Sequence, residues 1–196
     1  TEVNQKFLTN EEFEVLKKDT YIKWNTWALV TIIDFWDFEC EHCIDFHNSW
    51  KLKELDLRFK DKLNFIYKNI PIESNEDSKQ KSMIARCVYD NFWWEKYFEF
   101  LNWMYIRPYL TSSIWEFEYK NYLLEFWIND EKFEECISQE KYNEQIKSEI
   151  WQSIYLWIKY LPSIVVVNNQ TLSYKVFESD ELWEDLEKYI EGIIWV

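Results

Sequence analysis

The chain has 196 residues, 47% of them hydrophobic, which suits one domain of ordinary size or a core domain carrying an insertion and argues against disorder or a fibrous repeat. With 22 Lys and Arg against 36 Asp and Glu the formal charge is −14, and no local basic patch interrupts it, so nucleic acid is a poor candidate partner. No stretch approaches the roughly 18 uncharged apolar residues that cross a bilayer, and the sequence as it stands reads as that of a soluble chain.

Residues 29–35, Leu-Val-Thr-Ile-Ile-Asp-Phe, are apolar and β-branched and predict a short buried strand. Asp37-Phe38-Glu39-Cys40-Glu41-His42-Cys43 follows, and then a helical stretch with Ile44, His47, Leu52, Leu55 and Phe59 at helical spacing. A second strand is predicted at 63–67, ended by Pro71. Residues 74–105 predict a helix that Ser74 or Asn75 can cap, with acidic residues in its first turn and Met83, Ile84, Cys87 and Val88 along one side. Further helices are predicted near 112–126, 130–138 and 140–157. Pro162 breaks that pattern, and Ser163-Ile164-Val165-Val166-Val167 predicts a strand turned back by Asn168-Asn169 onto a partner at 171–177. An amphipathic helix at 179–191, with Leu182, Leu186 and Ile190 on one face, closes the chain. The predicted order is β-α-β, a helical block, then β-β-α, while the first twenty residues read as a helical lead-in.

The glycine and tryptophan counts are anomalous: 1 Gly and 13 Trp. A chain of this length ordinarily carries about 14 glycines, so the shortfall of one residue equals the count of the other. Trp24, Trp27 and Trp127 stand where turn or helix-start chemistry calls for glycine. This pattern suggests a source that reads UGA as glycine, translated with a code that reads UGA as tryptophan, and no function is placed on any tryptophan.

The four cysteines carry the chemistry: a close pair, Cys40 and Cys43, and a distant pair, Cys87 and Cys136. A C-x-x-C pair at a strand-to-helix junction puts its first thiol at a helix N-terminus, where unpaired N–H groups and the macrodipole favour thiolate. The second thiol, one turn along, can attack a mixed disulfide formed at the first. His42 between them can stabilise the Cys40 thiolate, whereas Glu41 opposes a second negative charge. Half of a zinc site and an inert disulfide remain alternatives for this pair; a closed zinc site needs four ligands, and no second C-x-x-C exists. His47 reads as a helix-face packing residue and stays outside the predicted site, for which no metal is expected.

The run Val30-Thr31-Ile32-Ile33-Asp34-Phe35-Trp36-Asp37-Phe38-Glu39-Cys40-Glu41-His42-Cys43 resembles the active-site strand and helix start of DsbA-like thiol-disulfide oxidoreductases of the thioredoxin superfamily. Leu161-Pro162-Ser163 through Asn169 resembles their cis-proline loop and following strand, and Cys87-Val88-Tyr89-Asp90-Asn91-Phe92 through Phe98-Glu99-Phe100 resembles their helical insertion. The resemblance implies an α/β thioredoxin fold, a central mixed sheet flanked by helices, over about 22–75 and 158–196, interrupted by a helical insertion at 76–157, with 1–21 as lead-in.

It further implies Cys40 as nucleophile, Cys43 as resolving thiol, and Leu161 and Pro162 as the loop that offers backbone to an extended substrate. Asp34 stands where the superfamily often carries a buried acid, and a carboxylate in a low-dielectric site can take the proton of Cys43; an ordinary strand-end carboxylate is the alternative. Trp36 and Trp157 fall where such sequences often have small residues. A structural disulfide is expected between Cys87 and Cys136, closing a loop of about 50 residues and contributing about 4 kcal/mol in the chain-entropy model; two buried free thiols are the alternative. Such a bridge implies an oxidising compartment outside the cytoplasm, reached through a removed signal or a membrane anchor. The activity implied is dithiol-disulfide exchange with unfolded or exported proteins, without an organic cofactor, together with a partner, in the membrane or outside it, that reoxidises Cys40 and Cys43. A reductase or isomerase, and a non-catalytic thioredoxin-like binding module, are the rival readings.

Overall fold

The computed structural model describes residues 6–18, 21–72, 74–106, 121–124, 129–178 and 184–195. Six strands, β1 (Lys6–Phe7), β2 (Tyr21–Lys23), β3 (Val30–Trp36), β4 (Leu63–Asn69), β5 (Ser163–Asn168) and β6 (Ser173–Glu178), form one sheet in the order β1-β6-β5-β3-β4-β2. The central β3 runs parallel to β4 and antiparallel to β5, and the remaining pairings are antiparallel. The helices are α1 (Asn10–Lys17), α2 (Glu41–Asn48), α3 (Lys51–Phe59), α4 (Glu76–Ile106), α5 (Asp130–Ser138), α6 (Glu140–Tyr155) and α7 (Glu184–Ile194), with a further helical turn at 121–124. Between β4 and β5 the described residues contain helices and no strand.

Every residue of β3 and β4 is buried, which explains why apolar residues predominate in both without strict alternation, with Thr31, Asp34, Asn64, Lys68 and Asn69 buried among them. Alternation still sorts their side chains. Val30, Ile32 and Trp36 join Leu63, Phe65 and Tyr67 in a core layer with α2, α3, α4 and α7. Ile33, Phe35 and Ile66 face the other way, toward Phe13 and Leu16 of α1 and Leu156 after α6. Asp34, by the same alternation, belongs to the layer that holds Cys43.

Local chemistry sets the helix starts. Thr9 and Glu12 close a capping box on α1, Asn75 accepts from the Ser78 N–H at 3.2 Å, and Asn129 accepts from the Lys132 N–H at 2.9 Å.

Several expectations need correction. The stretch after Cys43 is two helices, because Trp50 takes a left-handed conformation (φ 60°, ψ 6°) that no α-helix can continue through. The connection from β5 to β6 is longer than an Asn-Asn turn: Asn168 Oδ1 accepts from the Gln170 and Thr171 N–H groups, and Leu172 reaches φ 58° before β6 begins at Ser173. The lead-in holds strand β1, paired with β6, as well as a helix. The helix predicted at 140–157 stops at Tyr155, and Trp157 sits at φ 62°. Most of the segment predicted near 112–126 lies outside the described residues, as do Trp127 and Leu182. Among the described residues, two of the four non-glycine residues with positive φ are tryptophans, and both are exposed, at 59% for Trp50 and 73% for Trp157.

Candidate active site

The site forms where β3 ends. Asp37 is fully buried just beyond the strand and holds the loop that follows: Oδ1 accepts from the Glu39 N–H at 2.5 Å, and Oδ2 accepts from the Ile72 N–H at 2.8 Å and from the Ser78 hydroxyl. The carboxylate thereby ties the loop before α2 to the start of α4, and the Cys40 N–H donates back to the Asp37 carbonyl at 3.4 Å. Nothing in the spacing of residues singles out Asp37; its role comes from a contact between segments about 40 residues apart in sequence. Next to it, Glu39 is paired with Lys81 of α4.

Cys40 is the N-cap of α2, with extended backbone (φ −82°, ψ 108°), and its Sγ accepts from the Cys43 N–H at 3.2 Å. Cys40 and Cys43 are joined as a disulfide with Cα atoms 5.2 Å apart. The two sulfurs differ in access, since Cys40 is half-buried and Cys43 is fully buried. An incoming thiolate therefore meets Cys40 first, at the end of the helix where a negative charge is best stabilised. His42 and Glu41 are exposed on the first turn of α2.

Across from the disulfide, the Leu161 carbonyl oxygen lies 3.7 Å from Cys40 Sγ, and the Leu161–Pro162 peptide bond is cis. Pro162 is buried, Leu161 is half-buried, and β5 starts at Ser163. The C-x-x-C turn and the Leu161–Pro162 loop, 121 residues apart, are brought together because β5 pairs with β3 through Ile164 opposite Asp34 and Ser163 opposite Phe35.

Asp34 is fully buried, opposite Tyr67 on β4. His47 Nε2 stands 3.0 Å from Asp34 Oδ2, with side chains 9% and 1% exposed. Among the described residues no hydrogen-bond donor reaches either Asp34 oxygen, which leaves the imidazole as the group that meets the carboxylate. His47 packs on the helix face as expected and also approaches Asp34, being four residues after Cys43 on the same face of α2. The imidazole also packs edge-on against Trp36, ring centroids 5.4 Å apart. Burial, with Asp34 and Asp56 nearby, pushes the Tyr67 phenol far above its ordinary value, so Tyr67 keeps its proton.

Away from this centre, Cys87 of α4 and Cys136 of α5 are joined as a disulfide, with Cα atoms 5.8 Å apart and both residues fully buried. On the opposite face of the sheet, Glu149 of α6 meets Arg86 of α4 at 2.6 Å and Lys68 of β4 at 3.8 Å, and accepts from the Asn69 N–H at 2.9 Å.

A family model described as thioredoxin matches residues 18–192. No curated protein matches the sequence. Among solved structures, alpha-DsbA1 of Wolbachia pipientis aligns with a TM-score of 0.74 at 15% identity, covering 94% of this chain and 96% of that one. Oxidised BdbD of Bacillus subtilis aligns at 0.72 and 19% identity, over 91% and 95% of the two chains. The thiol-disulfide exchange protein alpha-DsbA2 of Wolbachia pipientis aligns at 0.71 and 18% identity, over 93% and 91%. With a C-x-x-C turn capping a helix at the end of the central strand, and with the family match running through nearly all of it, this chain belongs to the thioredoxin family and has the fold of the DsbA proteins.

Proposed function

We propose that the protein is a DsbA-like thiol-disulfide oxidoreductase that donates the Cys40–Cys43 disulfide to unfolded or newly exported proteins. One observation carries this reading: the accessible sulfur of a C-x-x-C disulfide sits at a helix N-terminus, 3.7 Å from the backbone carbonyl that precedes Pro162. A substrate thiolate attacks Cys40 Sγ, forming a mixed disulfide and releasing Cys43, which takes up a proton. A second substrate thiolate then attacks the substrate sulfur of that bond, leaving the substrate oxidised and Cys40 as thiolate. Asp34 is the group suited to exchange the proton of Cys43, and exposed His42 is placed to stabilise the Cys40 thiolate. Backbone at Leu161 and Pro162 supplies weak, sequence-tolerant pairing to an extended substrate.

In this reading residues 22–75 and 158–196 form the catalytic domain and 76–157 the insertion, stapled by Cys87–Cys136 as a structural bridge. The protein works outside the cytoplasm with a redox partner that returns Cys40–Cys43 to the disulfide, and needs no organic cofactor.

The test is the reduction potential of Cys40–Cys43, measured by glutathione equilibration with thiol trapping. An oxidase lies toward roughly −120 mV, whereas a value near roughly −270 mV marks a reductase. Activity in cells that survives Cys40→Ser, with exchange abolished, refutes both and leaves the binding-module reading.

A further inference from the structure

Resting on that reading, we infer that His47 is a positioning and proton-relay residue for the resolving step, carrying the proton of Cys43 from Asp34 to solvent through a separate opening in the protein. Cys43 and His47 are four residues apart on α2 and share the helix face that packs on β3, while Asp34 belongs to the sheet layer they pack against. The carboxylate is buried and has no solvent contact of its own, so a proton placed on Asp34 needs a neighbouring group to carry it out. His47 is that group, because it meets Asp34 at 3.0 Å on one side and lines a cavity of about 580 Å³ on the other.

That cavity is bounded by α2, α3, β2, β4 and α4 and has a polar rim. Asn48 and Asn102 lie on it, and Lys53 of α3 joins Lys23 of β2 and Asp56 of α3, which pair with each other at 2.5 Å. From β4 the titratable neighbour is Tyr67, which keeps its proton, and α4 contributes Phe98 and Leu101. Between the Asp34 carboxylate and the cavity, His47 is then the side chain whose two ring nitrogens can pass a proton from one side to the other.

Glutathione serves as the probe disulfide. In the Cys40–glutathione adduct, the Cys43 S–H bond breaks and its proton passes to Asp34. The Cys43 sulfur bonds to Cys40 Sγ, the bond from Cys40 to glutathione breaks, and glutathione leaves as thiolate with the electron pair. His47 takes the proton from Asp34 and releases it to water in the cavity. Two electrons have moved from the protein dithiol to the glutathione disulfide.

The experiment mixes reduced full-length protein with excess oxidised glutathione and follows, from pH 5 to 9, the phase whose rate does not depend on glutathione concentration. His47→Ala is expected to slow this phase about tenfold at pH 7 and to change the shape of its pH profile from that of the parent. Free imidazole, small enough for the enlarged cavity, restores much of the rate. Alkylation of Cys40 by iodoacetamide, which reports the other sulfur, stays unchanged. If His47→Ala does not fold, His47→Gln is scored by the same pH profile. A rate within twofold of the parent with the same profile overturns the proposal, as does a slowed rate that imidazole leaves untouched. A parent protein that forms no adduct at Cys40 refutes the exchange reading itself and this relay with it, a result distinct from an adduct that resolves without His47.

Discussion

Replacing Glu149 probes how the long helical segment is fastened to the sheet. The carboxylate is almost fully buried between Arg86 on α4 and Lys68 on β4, whose side chains are 4% and 0% exposed. It also accepts from the backbone of Asn69, so one side chain ties α6 to α4 and to a central strand. In Glu149→Leu both cations stay buried without their carboxylate. Removing one partner of such a buried pair costs about 3–5 kcal/mol, most of it the penalty of the stranded charge. For a chain of this length that corresponds to a fall in Tm of roughly 6–20 °C, read by far-UV circular dichroism at pH 7. The triple variant Lys68→Met, Arg86→Met, Glu149→Leu separates the pair's net worth from that penalty, since an apolar replacement of the whole cluster is expected to return most of the lost stability. A Glu149→Leu Tm within about 2 °C of the parent would show that the three charges are not buried together in solution, and the reasoning would fail.

Asp37→Ala strips acceptors from the Glu39 and Ile72 N–H groups and the Ser78 hydroxyl, and is expected to cost about 3 kcal/mol; Asp37→Asn, which keeps one carbonyl oxygen, should cost less, and urea titration ranks the two. Trp50→Gly and Trp157→Gly should each raise stability by about 0.5–1 kcal/mol, because a left-handed non-glycine residue costs roughly 1–2 kcal/mol and glycine loses somewhat less than that in chain entropy; unchanged or lowered Tm values refute the strain argument. If these positions are glycine in the source organism, the intact mass of the native protein falls below that of a chain with 13 tryptophans, and a matching mass eliminates recoding. Glu12 accepts from the Tyr155 hydroxyl and from the Thr9 N–H, which hold its carboxyl below the ordinary value of 4.5. A folded-state value below the unfolded one stabilises fully above pH 4.5 and is lost as pH falls through the lowered value. The parent should therefore lose its stability advantage over Tyr155→Phe on acidification below that point; a difference constant from pH 7 to 3 refutes it.

The sequence by itself determined most of the element types and the close cysteine pair. β3, β4 and β5 were legible because strands buried on both faces are rich in apolar and β-branched residues, and the Cys40–Cys43 spacing put two sulfurs on one helical turn. The two-residue β1 and three-residue β2 were not legible, since each is held by pairing with β6 or β4 and too short to show a period of its own. The break at Trp50 was hidden for a related reason: residue type predicts left-handed backbone only where glycine or asparagine marks it. Tertiary structure alone decided what surrounds the cysteines. Strand pairing brought Leu161 to Cys40 across 121 residues, α2 docking set His47 against Asp34, and Asp37 found its partners at the start of α4. Spacing within one helix or strand is written into the chain by its period. A contact between segments far apart in sequence exists only once the sheet has set its strand order, and no local pattern encodes it.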